Sequence, residues 1–130
     1  MIRYIDTSAY LKLLVAEPET PALRADLQAT RTAGVRIVSS ILLETELRRA
    51  GQLLGIAVAE IEAELAKLDI IRADDATFIR AGNLPGPLLR SLDALHLAVA
   101  LEVGATAVYT YDARQTAAAT QLGLIVLAPR

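Results

Sequence analysis

A chain of 130 residues without cysteine allows one domain of ordinary size and excludes disulfides, thiolate metal sites and a cysteine nucleophile. Its 54% hydrophobic content is broken by charges, Pro and Gly too often for a transmembrane span, and Arg3 and Asp6 stand where a signal peptide would need an apolar core; a single soluble, cytoplasmic domain over 1–130 is expected. A net charge of −2 lacks the basic footprint of a usual nucleic-acid binder, but if four carboxylates bind cations, 11 of the 15 acidic residues remain against 13 basic ones, mostly arginine, the better phosphate fork.

Along the chain, short runs of β character alternate with longer helical ones. A strand over 2–5 ends at Asp6, and a short helix over 9–15 follows, closed by Glu17 and Pro18. A helix over 20–32 stops near Gly34, and a strand over 36–39 leads into a helix over 41–54. A helix over 57–68, a strand over 69–72 and a helix over 76–81, with Asp74 and Asp75 as its capping acids, come before a loop in Asn83-Leu-Pro-Gly-Pro87. A helix over 92–103 stopped by Gly104, a strand over 106–110, a helix over 113–122 and a strand over 124–127 complete the order. Such alternation argues a mainly parallel sheet of four to five strands covered on both faces.

Four acids occupy places that this fold class reserves for chemistry. Asp6 follows the first strand and Asp112, in Tyr109-Thr-Tyr-Asp112, follows the fourth; if those strands flank the switch point of a doubly wound sheet, both acids share one lip. Each also has a local reading, Asp6 as cap of the helix starting near Ser8 and Asp112 as an N-cap with Gln115 three positions on. On a helical wheel Leu42, Leu43, Leu47, Ala50, Leu53 and Leu54 form an apolar face that contains Glu46, while Glu44, Thr45, Arg48 and Gln52 form the polar one. A carboxylate on an apolar face needs a partner, either a cation or a buried arginine, unless the helix boundary lies elsewhere. Asp93 opens a helix that is apolar nearly all round; behind a capping Ser91, an acid in the first turn also complements the helix dipole. His96, one turn later, can hydrogen-bond Asp93 or the backbone, or touch substrate, and a lone histidine makes no multi-histidine zinc site.

Two unit charges about 4 Å apart repel by roughly 4 kcal/mol at an effective dielectric near 20, so clustered carboxylates require something positive. All-oxygen donors favour Mg²⁺ or Mn²⁺ over zinc or iron, and such ions activate water and neutralise a phosphate under attack. The chain has no glycine-rich phosphate loop, Walker lysine, Gly-x-Ser-x-Gly or second Asp two places after Asp6. These features point to a divalent-metal nuclease.

Ile5-Asp-Thr-Ser-Ala-Tyr-Leu11, Ser39-Ser-Ile-Leu-Leu-Glu-Thr-Glu-Leu-Arg-Arg49, Leu92-Asp-Ala-Leu-His-Leu-Ala98 and Tyr109-Thr-Tyr-Asp-Ala-Arg114 together resemble the PIN-domain ribonucleases, specifically the VapC-type toxins of bacterial type II toxin–antitoxin systems. The resemblance covers the whole chain in order and spacing. It implies a three-layer α/β/α sandwich, a homodimer, a cognate antitoxin that blocks the site, and Mg²⁺-dependent endoribonuclease activity, with Mn²⁺ able to substitute, leaving a 5′-phosphate and a 3′-hydroxyl. By the same resemblance Asp6, Glu46, Asp93 and Asp112 take the places of the family's acidic quartet. Asp6 and Asp93 would be the firmest metal ligands, Asp112 would bind directly or through water, and Glu46 would orient ligand water or serve a second ion. Ser8 and Thr110 match small hydroxyl positions that could hold a water or a phosphate oxygen, although turn and strand-end hydrogen bonding is an equal account of them.

Arg48, Arg49, Arg90 and Arg114, next in sequence to the acidic segments, are candidates for gripping backbone phosphate. Four Tyr and one Phe give few stacking platforms, so a structured or presented single-stranded RNA site is the expected substrate. A receiver-like domain is a poor rival, since no phospho-accepting Asp follows a middle strand and no Lys follows the last. The alternative from another class is a catalytically silent PIN-like module whose acids receive an antitoxin or other protein partner.

Overall fold

Period-two alternation of buried side chains builds the sheet. Tyr4, Val38 and Val108 turn to one face and Ile5, Ile37 and Tyr109 to the other, all essentially buried. The computed structural model describes residues 1–130, whose elements run β1 (Ile2–Ile5), α1 (Thr7–Tyr10) with a 3-10 turn at Leu11–Leu13, α2 (Thr20–Thr32), β2 (Arg36–Ser40), α3 (Ile41–Leu54), α4 (Val58–Leu65), β3 (Asp69–Ile71), α5 (Asp75–Gly82), α6 (Ser91–Glu102), β4 (Ala107–Tyr109), α7 (Ala113–Gln121) and β5 (Ile125–Leu127). All strand pairs are parallel, in the order β3-β2-β1-β4-β5. Arg3 lies opposite Ile37 on one side and Ala107 on the other, so β1 is central and the order reverses between β1 and β4. The expected mainly parallel sheet and α/β/α layering are therefore present.

One apolar layer joins α1 to α4 with the sheet through Tyr10, Leu23, Leu27, Leu43, Leu47, Ile61 and Leu65. The opposite layer is built by α6 and α7 through Leu97, Val99, Ala100, Ala118 and Ala119, and α5 docks on α6 at Ala81, Ala94 and Ala98. Every residue of α6 from Ala94 to Ala100 is buried, as its all-round apolarity requires. No helix is long and apolar enough to cross a membrane.

Several boundaries differ from the sequence expectation, each for a local reason. The helix expected over 9–15 starts two residues sooner because the Asp6 side chain accepts the Ala9 N–H. It tightens after Tyr10 because Thr20 Oγ1 and an Arg24 guanidinium nitrogen donate to the Lys12 and Leu13 carbonyls, at 2.8 and 2.6 Å. The helix expected to reach Leu68 ends at Leu65, where Lys67 and Leu68 turn onto the Glu64 and Leu65 carbonyls. Ser91 does not cap α6; the cap position is Arg90, which gives no side-chain cap bond. The apolar face drawn for α3 is too long, because Leu53 and Leu54 are exposed and the buried stripe runs Leu43, Leu47, Gly51. Gly51 allows α4 to approach: a Cβ there would stand 2.3 Å from Ile61 Cδ1.

Candidate active site

At the β1/β4 switch point the carboxyl ends of two neighbouring strands present Asp6 and the segment Thr110-Tyr-Asp112. The Asp6 N–H donates to the Tyr109 carbonyl at 3.1 Å, which ties the end of β1 to the end of β4. Asp6 is only 4% exposed, and its Oδ1 accepts from Ser8 Oγ at 2.8 Å and from the Ala9 N–H at 3.0 Å. Burial pushes its carboxyl above the ordinary carboxylate value, with neighbouring Thr110, Ala9 and Ser8 opposing the shift. Ser8 Oγ is also 3.5 Å from Thr110 Oγ1, which accepts the Asp112 N–H at 3.1 Å. The two hydroxyls thus brace the acids on either side of the switch point.

Asp112 caps α7 as expected, its Oδ1 accepting from the Arg114 and Gln115 N–H groups at 2.9 and 3.0 Å. The reciprocal bond of a capping box does not form. Gln115, 1% exposed, turns its amide toward α6, where Nε2 donates to the Asp93 carbonyl at 3.4 Å and Oε1 is buried without a partner. Gln115 therefore links the starts of α6 and α7, a contact that a cap reading of the sequence does not reveal. Asp93 is partly buried on the first turn of α6; burial first, then the charge of Asp112, raise its carboxyl, and Glu46 adds in the same direction. Asp93, Asp112 and Glu46 thus share one electrostatic neighbourhood.

Glu46, its side chain 30% exposed, has histidine rather than arginine as its partner. His96 Nε2 lies 2.7 Å from Glu46 Oε1, and Thr7 Oγ1 donates to the same oxygen at 2.9 Å. Burial acts to raise this carboxyl, but the His96 and Thr7 contacts prevail and hold it below the usual glutamate range. The alternatives of Asp93 or the backbone as partner to His96 are not realised; its ring bonds Glu46 and Tyr4, with Thr7 at 3.3 Å. Thr7 and Tyr4 are the functional neighbours that the sequence reading missed. Thr7 had one available signal, adjacency to Asp6, whereas nothing local connects Tyr4 to a histidine 92 positions away.

A common pattern runs through these acids. In Asp6, Glu46 and Asp112 the protein's hydrogen bonds fall on a single carboxylate oxygen, so each side chain is anchored through one oxygen. No three acidic or histidine side chains are grouped tightly enough to hold an ion. Clustered carboxylates repel one another, and a divalent cation is the group that would offset it.

The arginines divide. The Arg48 guanidinium is bound to Glu44 at 2.8 Å and Glu62 at 2.6 Å in a surface ion-pair network. Arg49, Arg90 and Arg114 are exposed. Arg90 lines a hollow with Phe78, Leu89 and Leu95, and Arg114 another with Leu88 and Ala117. The two roomiest hollows contain none of the four acids.

The sequence matches the PIN domain family over residues 3–121. It is 41% identical over 131 residues to Ribonuclease VapC35 of Mycobacterium tuberculosis, covering 97% of this chain and 96% of that protein. It is 43% identical over 129 residues to Ribonuclease VapC46 of the same organism, with the same coverage of 97% and 96%. Among solved structures, VapBC2 from Rickettsia felis bound to a promoter DNA fragment superposes with a TM-score of 0.74 at 16% identity, covering 100% of both chains. VapC20 of Mycobacterium tuberculosis, described as a sarcin–ricin loop cleaving toxin, gives 0.71 at 14% identity, covering 89% of this chain and 94% of that one. At these identities the structural likeness is one of fold.

Proposed function

The chain belongs to the PIN-domain family, and from that premise we propose that it is a divalent-metal-dependent endoribonuclease, the toxin of a toxin–antitoxin pair, acting through Asp6, Glu46, Asp93 and Asp112. The observation that carries the reading is the assembly of four acids, remote in sequence, around the β1/β4 switch point, where α/β sheets place their ligands. Relatives named ribonucleases align over nearly the whole chain, which supports RNA as the polymer cut.

The donor set is oxygen throughout and fits Mg²⁺, with Mn²⁺ as a substitute. Asp6 and Asp93 would hold the ion most directly, Asp112 directly or through water, and Glu46 would orient ligand water or serve a second ion. When bound, the ion supplies a nucleophilic water at neutral pH and offsets charge on the phosphodiester. The chain's own share is positioning and charge. Ser8 and the Ala9 N–H hold Asp6 by Oδ1, the N-terminus of α7 holds Asp112 by Oδ1, and His96 with Thr7 holds Glu46 by Oε1. The second oxygen of each then serves the ligand. Ser8 and Thr110 brace Asp6 and Asp112 and stand where a water or phosphate oxygen could be held, and Arg48, Arg49, Arg90 and Arg114 are the candidates for backbone phosphate contact.

A cognate antitoxin, supported by structural neighbours that are VapBC and other toxin–antitoxin complexes, and a homodimer complete the proposal. The protein would act in the cytoplasm as one domain over 1–130.

The test is cleavage of total cellular RNA by purified protein in Mg²⁺ or Mn²⁺ against EDTA, beside Asp6→Asn prepared identically. The expected outcome is metal-dependent cutting that falls by about 10²–10³-fold in the variant, the scale for removing one preorganised electrostatic group. Undiminished cutting by Asp6→Asn would discard the site. A folded wild-type protein that binds its partner and cuts nothing would favour a silent binding module.

A further inference from the structure

His96, the chain's one histidine, is 3% exposed and stands between two polar groups from other elements. Tyr4 Oη lies 2.5 Å from its Nδ1 and Glu46 Oε1 lies 2.7 Å from its Nε2. Donor and acceptor capacities decide where the protons are. A carboxylate oxygen only accepts, so the proton between His96 and Glu46 belongs to Nε2. On the other side the Ser40 N–H already donates to Tyr4 Oη at 3.1 Å, and the phenol has one proton to give. Tyr4 is fully buried, and Nδ1 is the acceptor its hydroxyl reaches.

Building on the function proposed above, we infer that His96 is a positioning residue of the nuclease site: Tyr4 and Glu46 hold its ring by both nitrogens, and Nε2 donates to Glu46 Oε1 and pins that carboxylate, keeping Oε2 free for the ligand. Thr7 Oγ1 supplies the second donor to the pinned oxygen. The arrangement is that of a ring whose outer hydrogen bond fixes its orientation so that its inner one points correctly.

With a single histidine in the chain, a long-range ¹H–¹⁵N correlation spectrum of the whole labelled protein at neutral pH reports this ring without assignment. A proton on Nε2 is expected; a ring protonated on Nδ1 alone overturns the inference. RNA cleavage in Mn²⁺ then separates positioning from packing. His96→Gln, whose amide nitrogen can reach toward Glu46, should retain more activity than His96→Asn, whose shorter amide occupies the Tyr4 side, and Asn should fall by about 10- to 100-fold. Equal losses in two folded variants of matched melting temperature overturn positioning. Should neither fold, Tyr4→Phe, which removes only the hydroxyl, is expected to cut about tenfold more slowly, and unchanged cutting overturns the inference. A wild-type protein that cuts no RNA at all defeats the proposed function instead, while the spectrum still decides the tautomer.

Discussion

Burial at Asp93, together with the charge of Asp112, makes a proton more tightly held in the folded chain than in the unfolded one. A carboxyl shifted upward on folding costs stability once ionised. The loss begins as pH rises past the unfolded value, about 3.9, continues through the higher folded value, and persists at neutral pH. Asp6 is shifted the same way by its burial. Asp93→Asn is therefore expected to melt at a higher temperature than the wild type at pH 7 in metal-free buffer, with the gap closing near about pH 3. Its RNA cleavage should fall at the same time. Thermal scans across that pH range check this, and a lower melting temperature for the variant at pH 7 would contradict the burial account. A site that trades stability for a concentrated charge is expected where the charge has a task.

At the level of the element, α7 carries a residue with two separable roles. Asp112 satisfies the first-turn N–H groups of α7 and also adds charge to the crevice. Asparagine caps as well as aspartate but brings no charge. Urea unfolding should therefore find Asp112→Asn within a few tenths of a kcal/mol of wild type, whereas Asp112→Ala should lose about 1 kcal/mol. Both should lose cleavage. If Asn and Ala are equally destabilised, the cap is not what Asp112 contributes; if Asn keeps full cleavage, its charge is not used. The α3 helix makes a related division along its length. Its first turns carry Glu46 to His96, whereas its last turns leave Leu53 and Leu54 in solvent and use Gly51 to admit Ile61.

Across the whole molecule, repulsion among the acids and the proposed cation are linked. An ion that binds the folded chain and not the unfolded one stabilises it by about 2.7 kcal/mol at a concentration 100 times its Kd, or several degrees for a domain near this size. Millimolar Mn²⁺ should raise the melting temperature of the wild type and have a much smaller effect on Asp6→Asn, as read by differential scanning calorimetry. Equal shifts in the two proteins would indicate ion binding elsewhere. The topology brings Asp6 and Asp112 to one edge of the sheet, because β1 and β4 are neighbours running the same way and their following segments diverge to opposite faces.

Local signals carried much of this in the sequence itself. Periods of two and of 3.6 located every strand and helix, with α2 and α3 at their observed limits, and regular alternation implied a parallel sheet. Asp6 and Asp112 were legible because each stands at the end of an apolar run, and Glu46 because a carboxylate on an apolar helix face requires a partner. Which partner it finds was a tertiary decision: His96 is 50 residues away, and its orientation depends on Tyr4 from a third element. Likewise the sequence offered Gln115 as a cap partner, and packing gave Gln115 to Asp93. Periodicity and capping act within a few residues of chain, so sequence specifies elements and their faces. The reach of one side chain to another across elements depends on strand order and helix packing, which only the folded chain decides.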